Sequence, residues 1–270
     1  MTSKTFKELE HAGWMDRAAA YDDYLARLTT QAIDPILASF GDLRGKRVLD
    51  IACGPGHLAG AAARRGAVAE GLDFAAAMVA KAASNYAGLS FREGDAECLP
   101  YEDGRFDCAG CAFGLLHLEH PETAMSEAFR VLRPGGRYTF TVWCEPALGG
   151  VFGLVLGSVQ AYGTVDVGLP PAPPFFRFAE PEECHKALTA AGFEPPRVSR
   201  ISLMWYGRRP QDVLELIYKS GVRAAMILEA QAADARDRIH AAILTSAERY
   251  RVGERIEIAT PGLLVTTIRQ

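Results

Sequence analysis

The sequence has no excess of basic charge, no long apolar run and few cysteines. Its 29 Lys and Arg stand against 33 Asp and Glu, a net charge of −4. That balance lacks the positive surface that binding to nucleic-acid phosphates requires, so no nucleic-acid partner is expected. No stretch reaches the roughly 20 apolar residues of a membrane-crossing helix, which argues against a membrane span. Near the start, Lys4, Lys7, Glu8 and Glu10 interrupt the chain and no apolar run follows, so no secretory signal is read there. Six cysteines without secretory context read as reduced thiols of a cytoplasmic protein. Cys108-x-x-Cys111 has the spacing of half a zinc or redox site, but it falls in a segment that reads as buried strand. A three-residue spacing there sends the two side chains to opposite faces. No second such pair exists, and His117, Glu119 and His120 lack a further partner, so no metal is expected. No repeat of fixed period is present.

What the chain has instead is one organising stretch, Arg47-Val48-Leu49-Asp50-Ile51-Ala52-Cys53-Gly54-Pro55-Gly56-His57. It opens as a short apolar strand, turns on small residues, and enters an Ala-rich helix over 56–65. Strand, glycine turn and helix begin a nucleotide-binding βαβ unit. Gly54-x-Gly56-x-x-Ala59, with Asp73 downstream, also fits a dinucleotide site. Asp50 bears on the choice. A carboxylate at the strand end repels a diphosphate and attracts a ligand carrying an ammonium and a sulfonium. S-Adenosylmethionine is such a ligand and has no phosphate.

The rest of the chain continues the alternation. Residues 1–44 read as a helical cover, with Trp14, Tyr21, Tyr24, Leu25 and Leu28 on one face and a second helix over 29–40. Strands are expected at 47–51, 67–72, 89–92, 106–113 and 137–143, with helices at 75–84 and 121–132. Such alternation gives an α/β fold with a mostly parallel sheet covered on both faces. Ligands of these sheets bind beyond the carboxyl ends of the strands. Residues 144–178 are rich in Gly, Pro and Phe and read as a short helix followed by a loop. A helix at 180–191, a strand at 198–206, two helices within 210–250 and a last strand at 260–269 complete the reading.

Four motifs together resemble the class I S-adenosylmethionine-dependent methyltransferases, in particular the small-molecule branch of the ubiquinone and menaquinone enzymes. They are Asp50-x-Ala52-x-Gly54-x-Gly56, Gly71-Leu72-Asp73, Gly94-Asp95-Ala96-Glu97-x-Leu99-Pro100 and Arg130-Val131-Leu132-Arg133-Pro134-Gly135-Gly136. The resemblance implies a Rossmann-like seven-stranded sheet in one domain, 1–270. Its parts are the cover (1–44), a cofactor core (45–143), a lid (144–178) and the remainder (179–270) with a helical insertion at 210–250. It implies S-adenosylmethionine as cofactor, lying on Asp50, Ala52, Gly54 and Gly56. Asp73 would take the ribose hydroxyls, Phe74 and Met78 would flank the adenine, and Asp95 and Ala96 would receive its amino edge. Cys111 would run beneath the methionine and Tyr21 would close over it. His117 is the candidate general base, needed only if the acceptor is protonated. Trp143, Phe152, Phe175, Phe176 and Trp205 suit a small aromatic or lipophilic acceptor, methylated on O, N or C. A monomer or a homodimer is expected. The other readings are the same cofactor used for cyclisation or rearrangement, a non-catalytic binder, and a dinucleotide oxidoreductase.

Overall fold

A computed structural model describes residues 4–148 and 150–270. Three helices lead: α1 (Phe6–Tyr21), α2 (Ala26–Thr29) and α3 (Ile33–Phe40). Thr5 and Glu8 start α1 with a reciprocal cap, each side chain accepting the other's backbone N–H. The alternating core follows as β1 (Arg47–Ile51), α4 (His57–Arg64), β2 (Val68–Asp73), α5 (Ala76–Asn85), β3 (Ser90–Glu93), β4 (Phe106–Ala112), α6 (Pro121–Val131) and β5 (Leu132–Trp143). Then come α7 (Gly150–Tyr162), α8 (Pro181–Ala190), β6 (Arg197–Ile201), β7 (Met204–Gly207), α9 (Gln211–Ser220), α10 (Arg223–Glu229) and α11 (Ala233–Glu248). The chain ends through β8 (Arg251–Val252), β9 (Arg255–Ala259) and β10 (Gly262–Ile268).

The main sheet has seven strands in the order β3-β2-β1-β4-β5-β10-β6. The first five run parallel, and β10 lies antiparallel between β5 and β6. The strand period of two splits the side chains between two cores. Val48 and Cys108 face the side covered by α3 and α4, while Leu49, Ile51 and Cys111 face the side covered by α6 and α8. The Cys108 and Cys111 thiols therefore point away from each other. The chain leaves β1 for β2 and β3 on one flank, then returns to β4 and β5 on the other. The crevice where this order reverses lies between the carboxyl ends of β1 and β4.

Three expectations need correction. The single strand over 198–206 is two strands: β6 belongs to the main sheet, and β7 pairs with β9 in a second, three-stranded sheet β7-β9-β8. Residues 210–250 form three helices rather than two. The third starts after Ala232, whose extended backbone breaks the run with no capping side chain to announce it. The strand expected at 137–143 begins earlier, at Leu132: Leu132 pairs with Phe106 and Arg137 with Cys108, so Arg133–Gly136 bulge out within β5. Among the described residues, no helix is long and apolar enough to cross a membrane.

Candidate functional site

The first turn after β1 carries strain where the sheet order reverses. Ala52, at the end of β1, has φ of +53°, and Phe113, just past β4, has φ of +56°. Such left-handed backbone is costly for residues with a Cβ and concentrates at functional sites. Gly54 (φ +49°) lines a cavity of about 510 Å³, and a Cβ added to it would meet no atom within 4 Å. The backbone is bare there, open to a ligand.

Asp50 does not face that cavity. It is 1% exposed, and its Oδ2 accepts the N–H of Ala59 at 3.0 Å. Strand alternation puts Asp50 on the face of Val48, beneath α4; the left-handed backbone of Ala52 then breaks the alternation and turns that residue to the cavity wall. Gly56, the N-cap of α4, has no side chain to satisfy the first-turn donors, and Asp50 supplies the missing acceptor from the strand. Burial pushes the Asp50 carboxyl up to about 8 against the pull of the Ala59 N–H, and the nearby Asp73 charge adds to the rise. The sequence reading, a carboxylate presented to the ligand, is thus corrected to a buried acid behind the turn.

Asp73, at the end of β2, lines the cavity and is 6% exposed. Its two oxygens accept the N–H groups of Ala75 at 2.9 Å and Gly54 at 2.8 Å, which ties the glycine turn to α5. Burial raises its pKa, and those two donors oppose the rise. Phe74, Met78 and Ala96 form the neighbouring apolar wall. Asp95 also lies on the cavity, but Lys7 of α1 already holds it at 2.5 Å. The same Nζ reaches Glu97 at 3.3 Å.

The cover brings a group that sequence reading missed. Glu10 of α1 is 2% exposed, yet lies on the cavity. Its Oε2 accepts from Trp14 Nε1 at 3.1 Å and stands 2.9 Å from His117 Nδ1. An ionised carboxylate only accepts, so opposite it Nδ1 is the donor, and a neutral imidazole in this bond has its lone pair on Nε2. The signal was present in the sequence: Glu10 sits one helical turn before Trp14, an acid on the helix's apolar stripe. From His117 an aromatic series lines the far wall. Trp14 meets the imidazole edge-on at 4.8 Å, and Phe175 lies 6.3 Å from it. Phe152 bridges Phe175 to Trp143 at 6.1 and 4.8 Å, and Trp143 stacks on Phe113 at 3.9 Å.

One cavity therefore gathers Tyr21, Ala52, Gly54, Asp73, Phe74, Met78, Asp95, Ala96 and His117 with Trp143, Phe152, Phe175 and Phe176. It leaves out four of the expected residues. Asp50 lies behind the turn. Gly56 lies under Phe91, where a Cβ would come within 2.7 Å of the ring. Cys111 is fully buried on the opposite face of the sheet, its thiol pushed up to about 12 by burial. Trp205 is buried in the second sheet, packed over Gly207. His57 is spent outside the cavity, 2.8 Å from both Tyr86 Oη and Asp22.

Known proteins resemble this chain in sequence and fold. A family model described as a methyltransferase domain matches residues 49–140. An uncharacterized protein of Mycobacterium tuberculosis is 34% identical over 57% of this chain, and the chain spans only 58% of that protein's length. The demethylmenaquinone methyltransferase of Thermus thermophilus is 34% identical over 55% of the chain and 74% of its own length. Among solved structures, the YcgJ protein of Bacillus subtilis superposes with a TM-score of 0.57 at 19% identity, over 89% of this chain and 98% of that one. That last likeness concerns the fold.

Proposed function

The chain belongs to the class I S-adenosylmethionine-dependent methyltransferases, and we propose that it moves the methyl group of S-adenosylmethionine to a small aromatic or lipophilic acceptor. The observation that carries this reading is the cavity in which the β1–β2 strand ends face an aromatic wall. The residues present fit the cofactor. Gly54 offers bare backbone. Asp73 is a buried carboxylate with no cation paired to it among the described residues, and each oxygen keeps a lone pair for a diol. Phe74, Met78 and Ala96 form an apolar bed for a purine beside Asp95. Asp50 supports the pocket from behind, by fixing α4.

When bound, the sulfonium supplies an already activated methyl group, which leaves by in-line displacement. The chain's own residues then align, dry and deprotonate. The first helix and the aromatic wall exclude water from the reacting centre. His117 takes the acceptor's proton at Nε2, and Glu10 holds the imidazole in the tautomer that can do so. This role suits an O–H or N–H acceptor and is unneeded for one that arrives deprotonated. The 34% identity to a demethylmenaquinone methyltransferase supports a lipophilic acceptor without naming it.

The test is incubation with methyl-labelled S-adenosylmethionine and a library of phenols, amines and quinols. The expected outcome is label in a product, with an equal amount of S-adenosylhomocysteine. A rearranged, unlabelled product would move the chain to cyclisation chemistry. Binding without turnover across the library would leave a ligand-binding protein. Tight binding of NAD without binding of the sulfonium would overturn the reading.

A further inference from the structure

We infer that the acceptor half of the cavity recognises a monoanion, a carboxylate carried by an aromatic or aliphatic body, through Arg223. This inference rests on the proposed methyltransferase reading and names the substrate class of the same site. Arg223 opens α10, directly after the bend at Ser220-Gly221-Val222, and all four residues line the cavity. The bend is pinned by α1: a Cβ on Gly13 would sit 2.3 Å from Val222. The Arg223 guanidinium lies 5.6 Å from the centre of the Phe6 ring and donates once, to the Pro170 carbonyl at 3.1 Å. Among the described residues no carboxylate stands within ion-pair distance of it, although a guanidinium has five donors in a fixed fork.

The cavity's lysine and the acid nearest Arg223 are already engaged. Lys7 is held by Asp95 and Glu97, and Glu10, the acid whose charge reaches Arg223, is committed to Trp14 and His117. A half-buried, singly used guanidinium beside an aromatic wall is built for a planar anion that brings its own apolar body. One uncommitted positive charge balances one negative charge. A phosphate dianion or a diphosphate would add uncompensated charge to a cavity already lined by Asp73, Asp95, Glu10 and Glu119.

The test uses the full chain with S-adenosylhomocysteine and three matched probe pairs: benzoate and benzamide, 2-naphthoate and 2-naphthamide, dodecanoate and dodecanamide. Calorimetry at neutral pH should show at least one carboxylate binding tenfold or more tightly than its amide. Arg223→Gln should abolish that preference, Arg223→Lys should keep part of it, and both should bind S-adenosylhomocysteine within twofold of the parent. Equal binding within every pair, or no binding by any probe, overturns the inference, as does an Arg223→Gln variant that keeps the preference. If Arg223→Gln loses S-adenosylhomocysteine through misfolding, the wild-type preference and the Arg223→Lys variant still decide. Failure of the wild-type chain to bind S-adenosylhomocysteine would count against the proposed function itself. Intact binding with no carboxylate preference would sink only the present inference.

Discussion

Replacing Asp50 with Asn separates the electrostatic cost of the buried acid from its hydrogen bond. Asn keeps an oxygen that can accept the Ala59 N–H, which Asp50 now receives at 3.0 Å, but carries no charge. An unfolded Asp titrates near about 3.9, whereas burial pushes Asp50 up to about 8. Below about pH 4 both states are protonated, and the carboxyl does not oppose folding. Between the two values the folded state holds a proton that the unfolded state has released. The unfolding free energy then falls by about 1.4 kcal/mol per pH unit as pH rises, and it levels off above about pH 8. From pH 5 to pH 8 wild-type stability should drop by about 4 kcal/mol relative to Asp50→Asn. Urea unfolding of both proteins at half-unit pH steps measures the difference, and parallel profiles would refute the reasoning. The same buried acid gives a binding signature. A ligand ammonium seated against the β1 turn favours the ionised carboxyl, so binding at pH 6–7 should release up to about one proton. Calorimetry in buffers of differing ionisation enthalpy reads that release.

Gly54→Ala should cost about 1–2 kcal/mol of stability through its positive φ, and it should weaken S-adenosylhomocysteine binding more than tenfold, because its methyl enters the cavity; unchanged affinity would place the ligand elsewhere. Asp73→Ala should weaken the same binding by about 1–3 kcal/mol, and calorimetry showing no loss would remove Asp73 from the site. Glu10→Gln should lower kcat by about a hundredfold with the donor KM within twofold. An unchanged kcat would deny Glu10 its positioning role.

The residues of the proposed donor half that meet in the cavity were legible because their signals are local. Strand, glycine turn and helix follow one another within 47–64, and Asp73 and Asp95 each fall at or just past the end of a strand. Strand ends on one edge of a parallel sheet converge without any long-range knowledge. The direction of a side chain at such an end is a finer matter. Asp50 and Ala52 are two residues apart, and the left-handed backbone of Ala52 breaks the alternation that would have kept them on one face. Periodicity alone could not see that break. The acceptor half depends on contacts between distant segments: Glu10 with His117, Gly13 with Val222, Arg223 with Pro170. The second sheet was hidden for the same reason. Nothing in Met204–Gly207 marks it as the partner of Arg255–Ala259 rather than an extension of β6.

These contacts give α1 a role larger than cover. Lys7 ties it to Asp95, at the purine end of the proposed donor site, and Glu10 ties it to His117, at the reacting centre. Just past its end, Asp22 ties it to His57 on α4. Three polar links, spaced along one helix, span the donor-binding loops and the proposed base. The helix can seat fully only when the loops after β3 and β4 and the start of α4 hold their positions together. The helix that lines the proposed donor site thus also positions the proposed base, so the cover that aligns His117 is the one that keeps water from it.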